Sequence, residues 1–269
     1  MRNDANNSSQ SFVSIIIPCR NERKYIGPCL DCVLAQDYPR EAMEVLVVDG
    51  VSSDGTREVL ERYSAKHTFI RILDNPQKIT PCALNIGIKR SRGDIIIRLD
   101  AHAYYPPEYV SRCVKHLNEF KVDNVGGVWI TLPGADTIQA KAIAIVLASN
   151  FGVGNSLFRI GGLTEPTLVD TVPFGCFKRK VFDEIGLFDE DLIRNQDDEF
   201  NARLIKHGGK VLLIPEIWSE YYARATLAQL WRMYYQYGYF KPLASIKLGK
   251  VTTWRQLVPA FFIVSLIAL

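Results

Sequence analysis

Two continuous apolar runs in this chain each stop at an aspartate: MEVLVVDG, residues 43–50, and GDIIIRLD, residues 93–100. A run with no polar alternation predicts a strand covered on both faces, and the acid that closes it then stands at the strand's carboxyl end. That edge of an open α/β sheet is where ligands bind. A third acid, Asp197, lies in RNQDDEFNARL, residues 194–204. Asp49, Asp100 and Asp197 together suit a site that handles a base, a metal-bound diphosphate and a proton.

The remainder of the chain supports a sheet of that kind. Strands are expected at 12–18, 44–49, 69–73 and 95–100. Helices are expected between them at 25–35, 56–63 (capped by Ser53 or Asp54), 80–90 and 107–120. This alternation predicts a mainly parallel, doubly wound, Rossmann-like sheet flanked by helices. After a strand at 125–130 the rhythm changes. A helix at 137–149 leads into a Gly-rich stretch at 152–162, expected as a mobile loop. A strand at 168–171, a short helix from Lys180, a helix opened by the acids 197–199 and a strand at 211–214 follow. With 269 residues, 48% of them hydrophobic, the chain can bury one sizeable core or two modest ones.

Several nucleotide-binding devices are excluded. A dinucleotide fingerprint needs G-x-G-x-x-G after the first strand, but Pro18-Cys19-Arg20-Asn21-Glu22 stands there, and the first glycine is Gly27. A P-loop needs Gly-Lys-Ser/Thr, and both Gly-Lys pairs precede valine. A nucleotidyltransferase would show a Gly- and Arg-rich loop in the same place. What remains is a site that grips its nucleotide with acids and a metal, which suits an activated sugar whose diphosphate leaves as an anion. Of the six cysteines only Cys29 and Cys32 have CxxC spacing, and they fall inside a helical pattern, so reduced thiols are expected.

VSIIIPCRNE, VLVVDGVSSDGT, ALNIGIKRSRGDIIIRLDAHA, GCFKRKVFDEIGLFDEDL and NQDDEFNARL, in this order over residues 12–222, resemble the signature of family 2 glycosyltransferases with the GT-A fold. The resemblance is nearest to membrane-associated enzymes of bacterial exopolysaccharide assembly. It implies that Asp49 accepts a hydrogen bond from a uracil ring, with Pro18, Arg20 and Glu22 lining the same pocket. Asp100-Ala101-His102 stands at the family's D-x-D motif, which holds a divalent ion on the two phosphates. Histidine in the second position tilts the choice toward manganese, with magnesium possible. His102 is either a direct ligand or a partner of a phosphate or of metal-bound water. Lys78 either reaches the phosphates or the sugar, or is simply solvated. Asp197 matches the catalytic base, although Gln196 stands where the family has Glu; Asp198 is the competing candidate. Like charges this close are expected to raise at least one pKa. Gly175 lies near the acceptor by the same resemblance.

The end of the chain differs in charge. Six of the 32 basic residues and none of the 29 acidic ones lie beyond residue 220, which leaves the first 220 residues at −3. Aromatic residues interleave with these cations at 231–240, a composition suited to an anionic membrane surface, and part of this stretch is also expected to pack on the sheet as a buried helix. The expected organisation is a polar segment at 1–11, the GT-A domain at 12–222, an interfacial basic and aromatic region at 223–256, and the start of a membrane segment at 257–269. No export signal is read at the start, which places the site on the cytoplasmic face of a bacterial cell membrane.

The expected function is inverting transfer of a hexose, glucose first, from a UDP-sugar to a lipid-linked saccharide of an exopolysaccharide. Nucleic acid is not an expected partner. A polyprenyl-phosphate glycosyltransferase or a processive synthase is the alternative enzyme, and a sugar-nucleotide-binding scaffold the alternative outside catalysis.

Overall fold

A computed structural model describes residues 10–249 and residue 265. The expectations placed on residues 1–9, on Lys250 and Arg255, and on the 257–269 segment as a membrane span lie outside the described residues. The first half alternates as the sequence implies: β1 (Val13–Cys19), α1 (Ile26–Leu34), β2 (Met43–Asp49), α2 (Thr56–Lys66), β3 (Ile70–Asp74), α3 (Thr80–Arg90) and β4 (Ile95–Arg98). Then come β5 (Ala103–Tyr104), α4 (Tyr109–Glu119), β6 (Asn124–Leu132), α5 (Ile138–Leu147), α6 (Asn150–Val153), α7 (Leu157–Ile160), β7 (Thr167–Leu168), β8 (Cys176–Lys178), α8 (Arg179–Ile185), α9 (Gln196–Lys206), β9 (Val211–Tyr222) and α10 (Leu227–Leu248).

One sheet runs β3-β2-β1-β4-β8-β6-β9-β5, with β7 also on β9. β1 to β4 are parallel, β6 is parallel to β9, and β8 joins the two halves antiparallel to both β4 and β6. The apolar runs are continuous because both faces are covered. Ile15 and Ile17 pack with α1 and α4 on one side, while Ile16 packs with α3 and the Phe177, Phe182, Phe188 and Phe200 rings on the other. This is the α/β GT-A architecture, a curled, mainly parallel sheet between helical layers.

Three local expectations change, and the expected packing of the aromatic helix on the body takes definite form. The α2 N-cap is Gly55, in the left-handed region at φ 92°, and Asp54 acts one residue earlier, where its carboxylate accepts from the Thr56 amide at 3.0 Å. The 152–162 stretch is not a plain loop: α6 and α7 form in and beside it, turned by Gly154 and Gly161 at positive φ. β9 continues to Tyr222 past Pro215, because the β6–β9 register shifts between Gly126 and Val128 and no ladder amide is asked of the proline. α10 joins the folded body: Met233 shares a core with Ile143 and Leu147 of α5 and with Tyr221 of β9. No helix among the described residues is long and apolar enough to cross a membrane.

Candidate active site

The strand order reverses between β1 and β4, and a cleft of about 1710 Å³ opens at the carboxyl ends of these strands. Pro18, Arg20, Glu22, Gly50 and Lys78 line one end, with Asp100 and His102 along the floor. Asp197 and Asp198 come from the far wall. They sit in the first turn of α9, whose N-cap Asn195 takes a left-handed φ of 62°, and the helix dipole favours acids there.

A chain of charges crosses the floor. Arg98 donates from Nε and Nη2 to Asp100 Oδ1 at 3.1 and 3.0 Å, and its Nη1 lies 3.8 Å from Asp197 Oδ2. Asp198 Oδ2 accepts from Lys241 of α10 at 2.5 Å. Asp197 stands in the cleft wall, partly open to solvent. Withdrawal from water raises its carboxyl above the ordinary value, Asp198 adds to the rise and Arg98 opposes it. The expected rise is seen at Asp197, and Asp198 is paired with Lys241.

His102 is held from behind. Its Nδ1 lies 3.1 Å from Glu22 Oε1, which leaves Nε2 as the nitrogen free for a ligand. Burial works against a charge on the ring, but the Glu22 hydrogen bond and the negative charge of Asp100 outweigh it and raise the pKa above the ordinary value. A carboxylate that orients the far nitrogen is the usual support of a metal-ligating histidine. Glu22 thus backs His102 while it lines the cleft with Pro18 and Arg20, as the sequence suggests.

Asp49 closes β2 at its carboxyl end, as expected, but its side chain is buried. It is 3% exposed and does not line the cleft, although Gly50 does. Its Oδ1 accepts from the Ser52 hydroxyl at 2.5 Å, and its Oδ2 lies 3.6 Å from Arg57. The reason is its position as the last residue of a central strand, where an ionised carboxylate needs partners. Gly175 is likewise not part of the cleft lining. Its carbonyl accepts from the Arg98 amide at 3.1 Å, and at φ 87° it turns the chain into β8.

A divalent ion fits Asp100 and His102 as one carboxylate and one imidazole open to the cleft. Asp100 Oδ2 accepts no hydrogen bond among the described residues. No group of three or more potential ligands gathers among the described residues. The remaining coordination would have to come from phosphates and water, the usual way such ions are held beside a diphosphate.

Sequence reading missed Arg98 and Lys241. Arg98 carried a signal, since it is the one charged side chain in the run IIIRL, where a buried strand has no use for charge unless it is paired. Lys241 carried none, because its partner is 43 residues away. Also unforeseen is a stack at the far end of the cleft. The rings of Trp129 and Tyr221 lie 4.4 Å apart, and the Arg159 guanidinium lies 4.4 Å over Trp129.

The sequence profile of glycosyl transferase family 2 matches residues 14–186. Over 241 residues the chain is 34% identical to the dolichyl N-acetyl-alpha-D-glucosaminyl phosphate 3-beta-D-2,3-diacetamido-2,3-dideoxy-beta-D-glucuronosyltransferase of Methanococcus voltae, covering 87% of this chain and 74% of that one. It is 31% identical over 261 residues to the succinoglycan biosynthesis protein ExoA of Rhizobium meliloti, covering 96% and 77%. Among solved structures, the mannosyltransferase PcManGT from Pyrobaculum calidifontis in complex with GDP-Man and Mn2+ matches with a TM-score of 0.69 at 21% identity, over 94% of this chain and 68% of that one.

Proposed function

The chain belongs to glycosyl transferase family 2, and from that premise we propose that it moves a hexose, glucose first, from a UDP-sugar to a hydroxyl of a lipid-linked saccharide, with inversion. The observation that carries this reading is the joining of Asp100 and Asp197 across one cleft through Arg98. A relative named for a dolichyl-linked sugar phosphate and another named for succinoglycan biosynthesis support a lipid-linked or polysaccharide acceptor.

Asp197 is the base. Its carboxyl is raised and faces Arg98 across the cleft, and Asp198 is tied to Lys241, so Asp197 takes the acceptor's proton as that oxygen attacks the anomeric carbon. Direct displacement gives a β linkage from an α-linked donor. Asp100 and His102 would hold a divalent ion, manganese before magnesium, which when bound offsets the charge gathering on the departing diphosphate. Pro18, Arg20 and Lys78 line the nucleotide end. Asp49 reads the base through Oδ2, since the Ser52 hydroxyl occupies Oδ1.

The enzyme works at the cytoplasmic face of a membrane. Support comes from α10, where Leu227, Trp231, Tyr235, Tyr239 and Ile246 form an exposed apolar stripe beside the cleft, and from Phe151 at its mouth. The deciding experiment is a donor screen: UDP- and GDP-sugars, with and without Mn2+ or Mg2+, against membrane lipid extract, followed by linkage analysis. A β-linked hexose product from a UDP-sugar is expected. An α linkage would overturn inversion, and turnover of a GDP-sugar alone would overturn the donor.

A further inference from the structure

The cleft contains a cation of its own. Arg98 closes β4, between β1 and β8, and its residue is only 8% exposed. Its backbone is fixed on both sides: the Arg98 amide donates to Gly175, and the next amide, of Leu99, donates to Ile16. Only the guanidinium can pivot. Two of its nitrogens are spent on a single oxygen, Asp100 Oδ1. The third, Nη1, is buried without a hydrogen-bond partner, 3.8 Å from Asp197 Oδ2 and so just beyond hydrogen-bond reach. A buried N–H left unused is costly, and a second arrangement that satisfies it lies about 1 Å away. Burial opposes the charge on Arg98, and Asp100 and then Asp197 sustain it.

Two cations therefore have a claim on Asp100, and only one of them is built into the chain. We propose that Arg98 is the resident counter-ion of the metal-binding acid, held at Asp100 until the donor's ion arrives and passed on to Asp197 when it does. The proposal rests on the reading of Asp100 as a metal ligand. An ion on Asp100 draws down the negative charge that holds Nε and Nη2. Nη1 then closes on Asp197 Oδ2 as a charge-assisted hydrogen bond, which fixes the carboxylate ionised and turns it to a single orientation. No covalent bond changes and no proton moves. Donor loading and base alignment become one event, so a cleft without donor holds its base unaligned. Arg98 is a positioning residue for both acids.

The test is calorimetric titration of the 269-residue protein with MnCl2 alone and with MnCl2 plus UDP, for the wild type, Arg98→Met, Arg98→Lys and Asp100→Asn. Arg98→Met is expected to bind Mn2+ alone about tenfold or more tighter than the wild type, because its competitor is gone. Removing any nearby positive charge would move affinity in that direction. Arg98→Lys separates the two causes, since it keeps the charge and loses the fork. It is expected to bind Mn2+ alone about threefold tighter than the wild type, and it decides the matter if Arg98→Met does not fold. In both variants, at saturating Mn2+, kcat should fall with little change in donor KM, since the metal site is then already filled and it is the base that loses its partner. Mn2+ affinity in Arg98→Lys equal to or weaker than that of the wild type would overturn the proposal while leaving the metal at Asp100. Undiminished binding of Mn2+ with UDP by Asp100→Asn would overturn the metal assignment and this inference with it.

Discussion

Lys241 of α10 donates to Asp198 at 2.5 Å, one residue from the acid proposed as base. Helix α10 thus sets the charge next to Asp197, and the two neighbours pull in opposite directions. A base acts ionised, so the acid limb of kcat/KM follows the pKa of Asp197, which burial and Asp198 hold above the ordinary value. Asp198→Asn removes a negative neighbour, lowers that pKa and moves the limb to lower pH. Lys241→Gln leaves the charge of Asp198 uncompensated, raises the pKa and moves the limb to higher pH. A pH profile of both variants checks this, and shifts of the same sign would place the limb on another group.

The two ends of the charged chain should separate in binding and turnover. Asp100→Ala is expected to lose Mn2+ and UDP affinity together. Asp197→Asn should bind Mn2+ and UDP near normally and lose about 10²- to 10⁴-fold in kcat, because it removes a group that acts only in the transition state. Nucleotide titration and single-turnover transfer measure both. Unimpaired transfer by Asp197→Asn would move the base to Asp198.

Glu22 and His102 form a second testable pair, joined at 3.1 Å. If His102 is a ligand through Nε2, His102→Asp preserves activity and moves preference from manganese toward magnesium, carboxylate being the harder donor. Glu22→Ala should then weaken Mn2+ binding with UDP by about 10- to 100-fold, the usual cost of losing a carboxylate behind a ligating histidine. An unchanged metal preference in His102→Asp would assign the ring to a phosphate or to metal-bound water.

These residues differ in how far the sequence revealed them. Asp49 and Asp100 were legible because a buried strand announces itself by an unbroken apolar run, and the acid that stops it has one place to stand. The partners were not. Glu22 pairs with His102, 80 residues away, and Asp49 with Ser52 and Arg57. Both choices are made by tertiary approach, on which local pattern is silent. β8, three residues long, is too short to show a period, yet it joins the two halves of the sheet and carries the turn at Gly175 that seats Arg98. The cations of the tail were legible as charge but not as direction: Lys241 and Lys247 point inward, to Asp198 and to the pair Asp189 and Asp191.

That inward direction changes what is expected at a membrane. Lys247 is held at 2.6 Å by both Asp189 and Asp191, so it and Lys241 would have to leave acidic partners to meet an anionic headgroup. The outward face of α10 is instead aromatic and aliphatic, with Trp231 76% exposed, and Phe151 beside it is 98% exposed. Docking should therefore depend on rings more than on these lysines. Trp231→Ala with Phe151→Ala is expected to weaken sedimentation with anionic vesicles by about tenfold or more per ring that inserts. Lys247→Gln should leave sedimentation unchanged and lower Tm, since it removes a tie between α10 and the body. Both are measured on the 269-residue protein, with neutral vesicles as a second arm to read the share of charge. Sedimentation that survives loss of both rings but collapses with Lys247→Gln would show that the lysine leaves its acids to meet the leaflet, and that the inward ion pairs belong only to the protein free of membrane.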